Sequence, residues 1–234
     1  MKLSKYSNHT NVTHLAGEIL KENGVISSLR NHPSAEVFNI LRTKVLTKMH
    51  ANNWNVLAVT GPRADAGKSF TAINLAISIA MEEDHSALLV DFDFKNPSLH
   101  EYFGITSKKG LSDFFNHSIP ISELLIRPDI ESLALLPAGK PISGSAELFS
   151  SSRMLQLVTE LKGRYSDRII VVDLPPLLGS ADAMTFLPIA DTCLLVVAEG
   201  ESSIADVERS MQLIDKNKLL GSVLNKSSET IKYY

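Results

Sequence analysis

Six short apolar stretches punctuate this chain, and residues with helical spacing fill the intervals between them. The stretches are WNVLAVT (54–60), SALLVDFDF (86–94), ESLALLPAG (131–139), RIIVVDLPP (168–176), DTCLLVVAEG (191–200) and LLGSVLN (219–225). They are apolar throughout rather than alternating, which is the pattern of strands covered on both faces. Two prolines stop the fourth. Ser34 can cap a helix whose Phe38, Leu41, Val45 and Met49 fall on one face. Phe70, Ile73, Ile77 and Ala80 repeat that spacing after the first strand, and Ile204, Val207, Met211 and Ile214 after the fifth. Residues 146–162 also read as helical, and short helices are expected around 111–126. Strands alternating with helices predict an α/β fold, a mostly parallel sheet with helices on both faces. Residues 1–32 are polar and weakly patterned, so a flexible N-terminal segment is expected there. A single domain then covers 33–226, and 227–234 form a polar tail. There is no internal repeat.

Composition narrows the setting. Of 234 residues, 44% are hydrophobic and 21% charged, as in an ordinary globular protein. The net charge of −3 gives no basis for bulk nucleic-acid binding. One cysteine, Cys193, rules out a disulfide within the chain and fits a reducing compartment. No stretch is long and apolar enough to span a membrane, and the N-terminus lacks the apolar centre of a signal peptide. A cytoplasmic protein is the expectation. The seven histidines are scattered, so no zinc site is expected.

Ligands of such a sheet bind outside the carboxyl ends of its strands, and four polar signals stand there. The first is the loop Ala64, Asp65, Ala66, Gly67, Lys68, Ser69, Phe70, where a helix begins. A helix start offers free N–H groups and a favourable dipole to an anion. Lys68 would reach the β- and γ-phosphates, and the Ser69 hydroxyl would bind Mg²⁺. The strict phosphate-loop pattern wants glycine at position 62, but Pro62 stands there and Gly61 comes one place early. Asp65 also replaces a comfortable glycine, although Asp tolerates left-handed backbone. The second signal is Asp91-Phe92-Asp93, where alternation sends both carboxylates to one side. These could hold a metal ion or cap the turn at KNPS. The third is Asp173, a further metal candidate, and the fourth is Asn225, which could hydrogen-bond a base. In this order, at strand ends, they indicate a P-loop NTPase fold that binds ATP and Mg²⁺.

With these residues in hand, the chain resembles the bacterial tyrosine kinases of capsule and exopolysaccharide loci, above all the autokinases of exosortase-associated polysaccharide loci. GPRADAGKS looks like their Walker A, LLVDFDFKNPSLH like their Walker A′ and IIVVDLPP like their Walker B. LLPAG followed by SAELFSSSRM, and LLGSVLNK, are also similar. The resemblance runs from about Ser34 to Lys226 and implies ATP·Mg²⁺-dependent phosphorylation of tyrosines in a partner copy's tail, here Tyr233 and Tyr234. It implies that Lys68 and Ser69 hold phosphate and metal, and that Asp173 joins the metal shell. Asp91 and Asp93 would share metal binding and the role of base, in an unassigned order. It further implies a homo-oligomer, no nucleic acid, and a separate membrane-anchored polysaccharide co-polymerase that activates the chain at the inner face of the membrane.

There are departures. The tail offers two tyrosines where the family has a cluster. The family's Glu-x-x-Arg-x-x-Arg assembly helix reads Glu36, Asn39, Arg42 here. Two alternatives remain open. One is a deviant Walker A ATPase switch of the division-site or partition type, whose second loop lysine would correspond to Arg63. The other is a nucleotide-binding regulator without catalysis.

Overall fold

The computed structural model describes residues 11–13, 17–27, 33–106, 109–163 and 168–228. In chain order these form β1 (Asn11–Thr13), α1 (Gly17–Glu22), α2 (Pro33–Ala51), β2 (Val56–Thr60), α3 (Lys68–Ala80), β3 (Ser86–Asp91), α4 (Leu99–Tyr102), α5 (Leu111–His117), α6 (Ile121–Leu124), β4 (Ile126–Pro128), β5 (Leu133–Leu136), α7 (Ser145–Phe149), α8 (Ser152–Gly163), β6 (Arg168–Asp173), α9 (Ala181–Phe186), β7 (Thr192–Ala198), α10 (Ile204–Leu213) and β8 (Leu219–Asn225). The strands make one sheet in the order β1-β4-β5-β3-β6-β2-β7-β8. Every pairing is parallel except β4 with β5. The expected mostly parallel α/β sheet is therefore present.

Alternation divides each apolar strand between two cores. Leu88 and Val90, Ile170 and Val172, and Val56 and Ala58 face a cluster with Phe149, Met154, Leu157 and Phe186 from α7, α8 and α9. Their neighbours Leu89, Val171, Leu57 and Val59 face a second cluster with Phe38, Val45, Met49, Ile73 and Ile77 from α2 and α3. Both faces of the central strands are dry, which is why those strands show no polar alternation. Asp91 and Asp173 end the rows that pack on α3. They are also register partners in the β3–β6 pair. The topology thus aims both carboxylates at the start of α3.

Several expectations need correction. Residues 1–32, read as a flexible segment, include strand β1 beside β4 and helix α1. Leu20 and Val25 are buried in the second core, and the Ser27 N–H donates to Asn74 Oδ1 at 2.9 Å. A few apolar residues, spaced too irregularly to register as a pattern, dock residues 20–27 on the core. The helix expected from Ser34 begins at Pro33, a first-turn position where proline's missing N–H costs nothing. The helix expected over 146–162 is two helices, broken at Ser150–Ser151. α10 lies where predicted, with Val207 and Ile214 packed on the first core while Ile204 is 79% exposed and Met211 46%. Periodicity groups residues on one face without saying which of them meet the core.

Candidate functional site

The loop between β2 and α3 is built by three left-handed or crowded positions. Gly67 has φ 85° and Asp65 φ 60°, so Asp65 adopts the backbone that a glycine would otherwise supply. A Cβ on Gly61 would lie 2.6 Å from the Val196 carbonyl oxygen. Gly61 thus provides the close approach one place earlier than the strict pattern asks. Pro62 fits because this position uses its carbonyl: Pro62 O accepts from Leu178 N at 3.1 Å, and Gly61 O from Leu177 N at 2.9 Å. Both bonds tie the loop to the segment after β6. The Asn225 Nδ2 donates to Ala66 O at 3.0 Å from the far side. Thr71 closes the first helical turn, its N–H and its hydroxyl both donating to Gly67 O at 2.9 and 2.8 Å. Lys68 is 8% exposed. The first turn of α3 contains no acidic residue, so its N–H groups and dipole remain available to an anion.

The three aspartates have different surroundings. Asp91 is fully buried, and its carboxylate is occupied by backbone donors. Oδ1 accepts from Asp93 N at 3.1 Å, and Oδ2 from Ser98 N at 3.1 Å and Leu99 N at 3.2 Å. Burial, with Asp173 beside it, pushes its carboxyl well above the ordinary carboxylate range. Asp93 is half-buried; Oδ1 accepts from Asn96 N at 3.0 Å. Burial raises it too, while Lys68 draws it down. Both carboxylates therefore do cap the KNPS turn, one of the two roles their spacing allowed. Phe92 points the other way into an aromatic cluster with Phe94, Phe149 and Phe186, as alternation required. Ser98 then reaches Ser69, with the two hydroxyl oxygens 3.4 Å apart. Sequence reasoning missed this bridge; its only signal was the serine in KNPS.

Asp173 is 1% exposed, and its carboxylate has no hydrogen-bond donor beyond the Ser69 hydroxyl beside it. Burial raises it to about 7, against the pull of the Ser69 hydroxyl and the Lys68 ammonium nearby. A buried carboxylate with no other donor, next to a serine hydroxyl and a lysine at an anion-binding helix start, fits a hard divalent cation carried with phosphate oxygens. The donor set is all oxygen, which suits Mg²⁺. Ser69 and Asp173 are the residues free to hold it. Asp91, expected in the metal shell, already has its oxygens filled by three backbone N–H groups.

Other residues singled out by sequence lie around this centre. Arg63 projects outward, 66% exposed, and pairs with Asp206 at the start of α10 at 2.7 and 2.9 Å. On α2, Asn39 takes the place of an arginine between Glu36 and Arg42. It donates to Glu36 Oε2 at 3.0 Å, while Arg42 pairs with Glu82 at 2.9 Å and donates to Ser78 O at 2.9 Å. Asn225 meets the loop rather than standing free for a base. Tyr233 and Tyr234 lie outside the described residues.

Comparison with known proteins agrees with this geometry. Residues 52–232 match a family model described as ParA, NUBPL iron-transfer P-loop NTPase. The chain's single cysteine is buried in β7, its thiol pushed up to about 12 by burial. It thus offers no thiolate set of the kind that iron–sulfur clusters use. CapB of Staphylococcus aureus, which carries a tyrosine-protein kinase name, is 28% identical over 213 residues, 88% of this chain and 92% of the relative. The tyrosine-protein kinase wzc of Salmonella typhimurium is 31% identical over 193 residues, 81% of this chain and 26% of the relative. The chain therefore spans nearly all of one relative and about a quarter of the other. The kinase domain of the Escherichia coli tyrosine kinase ETK superposes with a TM-score of 0.78 at 27% identity, covering 89% of this chain and 84% of that domain.

Proposed function

We propose that this chain, which belongs to the bacterial tyrosine-protein kinase family within the P-loop NTPases, transfers the γ-phosphoryl group of ATP to tyrosine hydroxyls of a partner copy's tail. Tyr233 and Tyr234 are the proposed acceptors, and regulation of exopolysaccharide or capsule synthesis or export is the proposed role. One observation carries the reading: Lys68, Ser69, Asp173 and Asp93 converge at the carboxyl ends of the central strands, with Asp173 buried. Such a set offers phosphate positioning, a metal site and an acceptor-side carboxylate together.

Phosphoryl transfer is mostly positioning and neutralisation of charge. Lys68 and the N–H groups at the start of α3 hold the phosphates, with the loop from Ala64 to Phe70 wrapped around them. Ser69 and Asp173 hold Mg²⁺, which when bound spreads the charge of the β- and γ-phosphates. Asp93, half-buried and facing Lys68, is the proposed base for the tyrosine proton, whose pKa near 10 calls for one. Asp91 organises the turn that carries Asp93. Asn225, held by the loop, would meet the base after a small shift of its amide. Among the described residues no helix is long and apolar enough to cross a membrane. Recruitment by a membrane-anchored co-polymerase is proposed on the likeness to the polysaccharide tyrosine kinases, together with assembly into a homo-oligomer. The pairing of Arg63 with Asp206 of its own chain favours the kinase over a switch that sends this residue into a partner's site.

The test is peptide mass spectrometry of the chain after incubation with ATP and Mg²⁺, with and without the candidate activator's cytoplasmic segment. Phosphate on Tyr233 or Tyr234 that disappears in Lys68→Met is the expected result. Phosphotyrosine that persists in Lys68→Met would overturn it, and so would a complete lack of it with ATP still bound.

A further inference from the structure

Asp182 is a fully buried carboxylate for which the proposed reaction has no use. It opens α9, and both oxygens are engaged. Lys95 Nζ pairs with Oδ1 at 3.1 Å, and the buried Ser145 hydroxyl donates to Oδ2 at 2.5 Å. Lys95 Nζ also donates to Ser180 Oγ at 3.1 Å, and Ser180 Oγ accepts from Asp182 N at 3.2 Å. Lys95 stands two residues after Asp93. Ser145 begins α7, in the SAELF segment whose motif the reaction leaves unexplained. Three stretches distant in sequence thus meet at one carboxylate.

We propose that Lys95, Asp182 and Ser145 form a strap that fixes the Asp93 turn across from the phosphate loop, with Lys95 a positioning residue for phosphoryl transfer. The turn from Asp93 to Ser98 is held at two ends. On the loop side Asp91 binds the N–H groups of Ser98 and Leu99, and Ser98 meets Ser69. On the other side Ile142 N donates to Phe94 O at 3.0 Å, and Lys95 adds the side-chain tie to a charge. Packing alone does not orient the turn. Phe92 packs edge-on against Phe149 and Phe186, with ring centroids 5.6 and 4.9 Å apart, and Phe94 lies tilted against Phe149 at 5.3 Å. These contacts are apolar and fix where the strand ends, while hydrogen bonds to a charge have a preferred direction. Stability is a weak reason to keep such a cluster, because well-packed apolar replacements of buried ion pairs are often neutral or better. Orientation of Asp93 is what the strap adds.

The proposal rests on the kinase reading, and its experiment separates the two. Lys95→Met and Lys95→Arg are compared with wild type and Lys68→Met by tyrosine-transfer kinetics and by hydrogen exchange of the Asn96, Ser98 and Leu99 amides. In Lys95→Met, kcat should fall about tenfold with KM for ATP unchanged, and those amides should exchange about tenfold faster than α3 amides do. Lys95→Arg should recover most of both. Ser145→Ala, which leaves no buried charge unpaired, serves if Lys95→Met fails to fold, and should shift both readouts the same way. Unchanged kcat and unchanged exchange in the turn, with only a lower melting temperature, would reduce the cluster to a structural role and overturn the proposal. If wild type itself makes no phosphotyrosine, the kinase reading fails, and the exchange data alone still decide whether the strap orders the turn.

Discussion

The side-chain amide of Asn225, at the end of the edge strand, is hydrogen-bonded to the carbonyl oxygen of Ala66 inside the phosphate loop, at 3.0 Å. The contact is so close that a Cβ on Gly67 would lie 1.9 Å from Asn225 Nδ2. Gly67 is thus required twice, by its left-handed φ of 85° and by this neighbour. Asn225→Ala should loosen the loop and weaken ATP binding roughly tenfold, the scale of one lost hydrogen bond to a functional loop. Gly67→Ala should be worse, because backbone strain adds to the clash. Titration with a fluorescent ATP analogue checks both; unchanged affinity in Asn225→Ala would mean that the loop holds its shape without the edge strand.

Asp173 makes stability depend on pH in a direction opposite to most carboxylates. Its folded-state value is raised to about 7, so the fold favours the protonated form. Between the ordinary carboxylate range and about 7, the folded chain keeps a proton that the unfolded chain has released. Stability without nucleotide therefore falls as pH rises through that window and levels off above it. Asp91 is shifted the same way and adds to the slope. Asp173→Asn should melt several degrees higher than wild type at about pH 8, with the two converging near pH 4. It should also lose Mg²⁺-dependent nucleotide binding. Melting curves across this range, with and without Mg·ATP, test both signs.

The core was legible because its physics is local. Strands buried on both faces must be apolar throughout, and all six stretches found in the sequence became strands of the sheet. β4 went unread because Ile126–Pro128 is short and contains a proline, so nothing but its neighbours β1 and β5 makes it a strand. α10 was placed correctly, and of its four spaced residues Val207 and Ile214 meet the core while Ile204 and Met211 face outward. At the site, the spacing of Asp91 and Asp93 predicted a shared side, and Phe92 confirms it by packing opposite. The different occupancy of the two carboxylates was out of reach, because it depends on the backbone path from Asn96 to Leu99. Likewise no local pattern connects Asn225 with Ala66, or Lys95 with Asp182.

Arg63 separates the kinase from the ATPase switch. Its guanidinium is exposed and held by Asp206 within the same chain, and each raises the other's charged fraction. If the kinase reading holds, Arg63→Ala changes a solvent-exposed pair and should leave tyrosine transfer within about twofold of wild type. A switch that uses this residue on a partner's nucleotide would instead lose nucleotide-dependent dimerisation and hydrolysis together. Sedimentation with ATP, run beside the transfer assay, distinguishes the two.

The last prediction divides the paired carboxylates. Asp91 has both oxygens engaged by backbone N–H groups, those of Asp93, Ser98 and Leu99, so its removal acts on architecture. Asp93 accepts from backbone N–H groups of its own turn, Asn96 and Lys95, but also faces Lys68, so its removal acts on the reaction. Asp93→Asn keeps a carbonyl for Asn96 N and loses the base; kcat should drop by about 10² to 10⁴, with melting temperature and ATP affinity nearly unchanged. Asp91→Asn must turn an NH₂ toward one of its three backbone donors, which costs about 1–3 kcal/mol of stability and disorders the turn. Its effect on kcat should come with faster exchange at Ser98 and Leu99. Should Asp91→Asn abolish transfer while the turn and the melting point stay intact, the base would be Asp91, and its backbone bonds would have to open during the reaction.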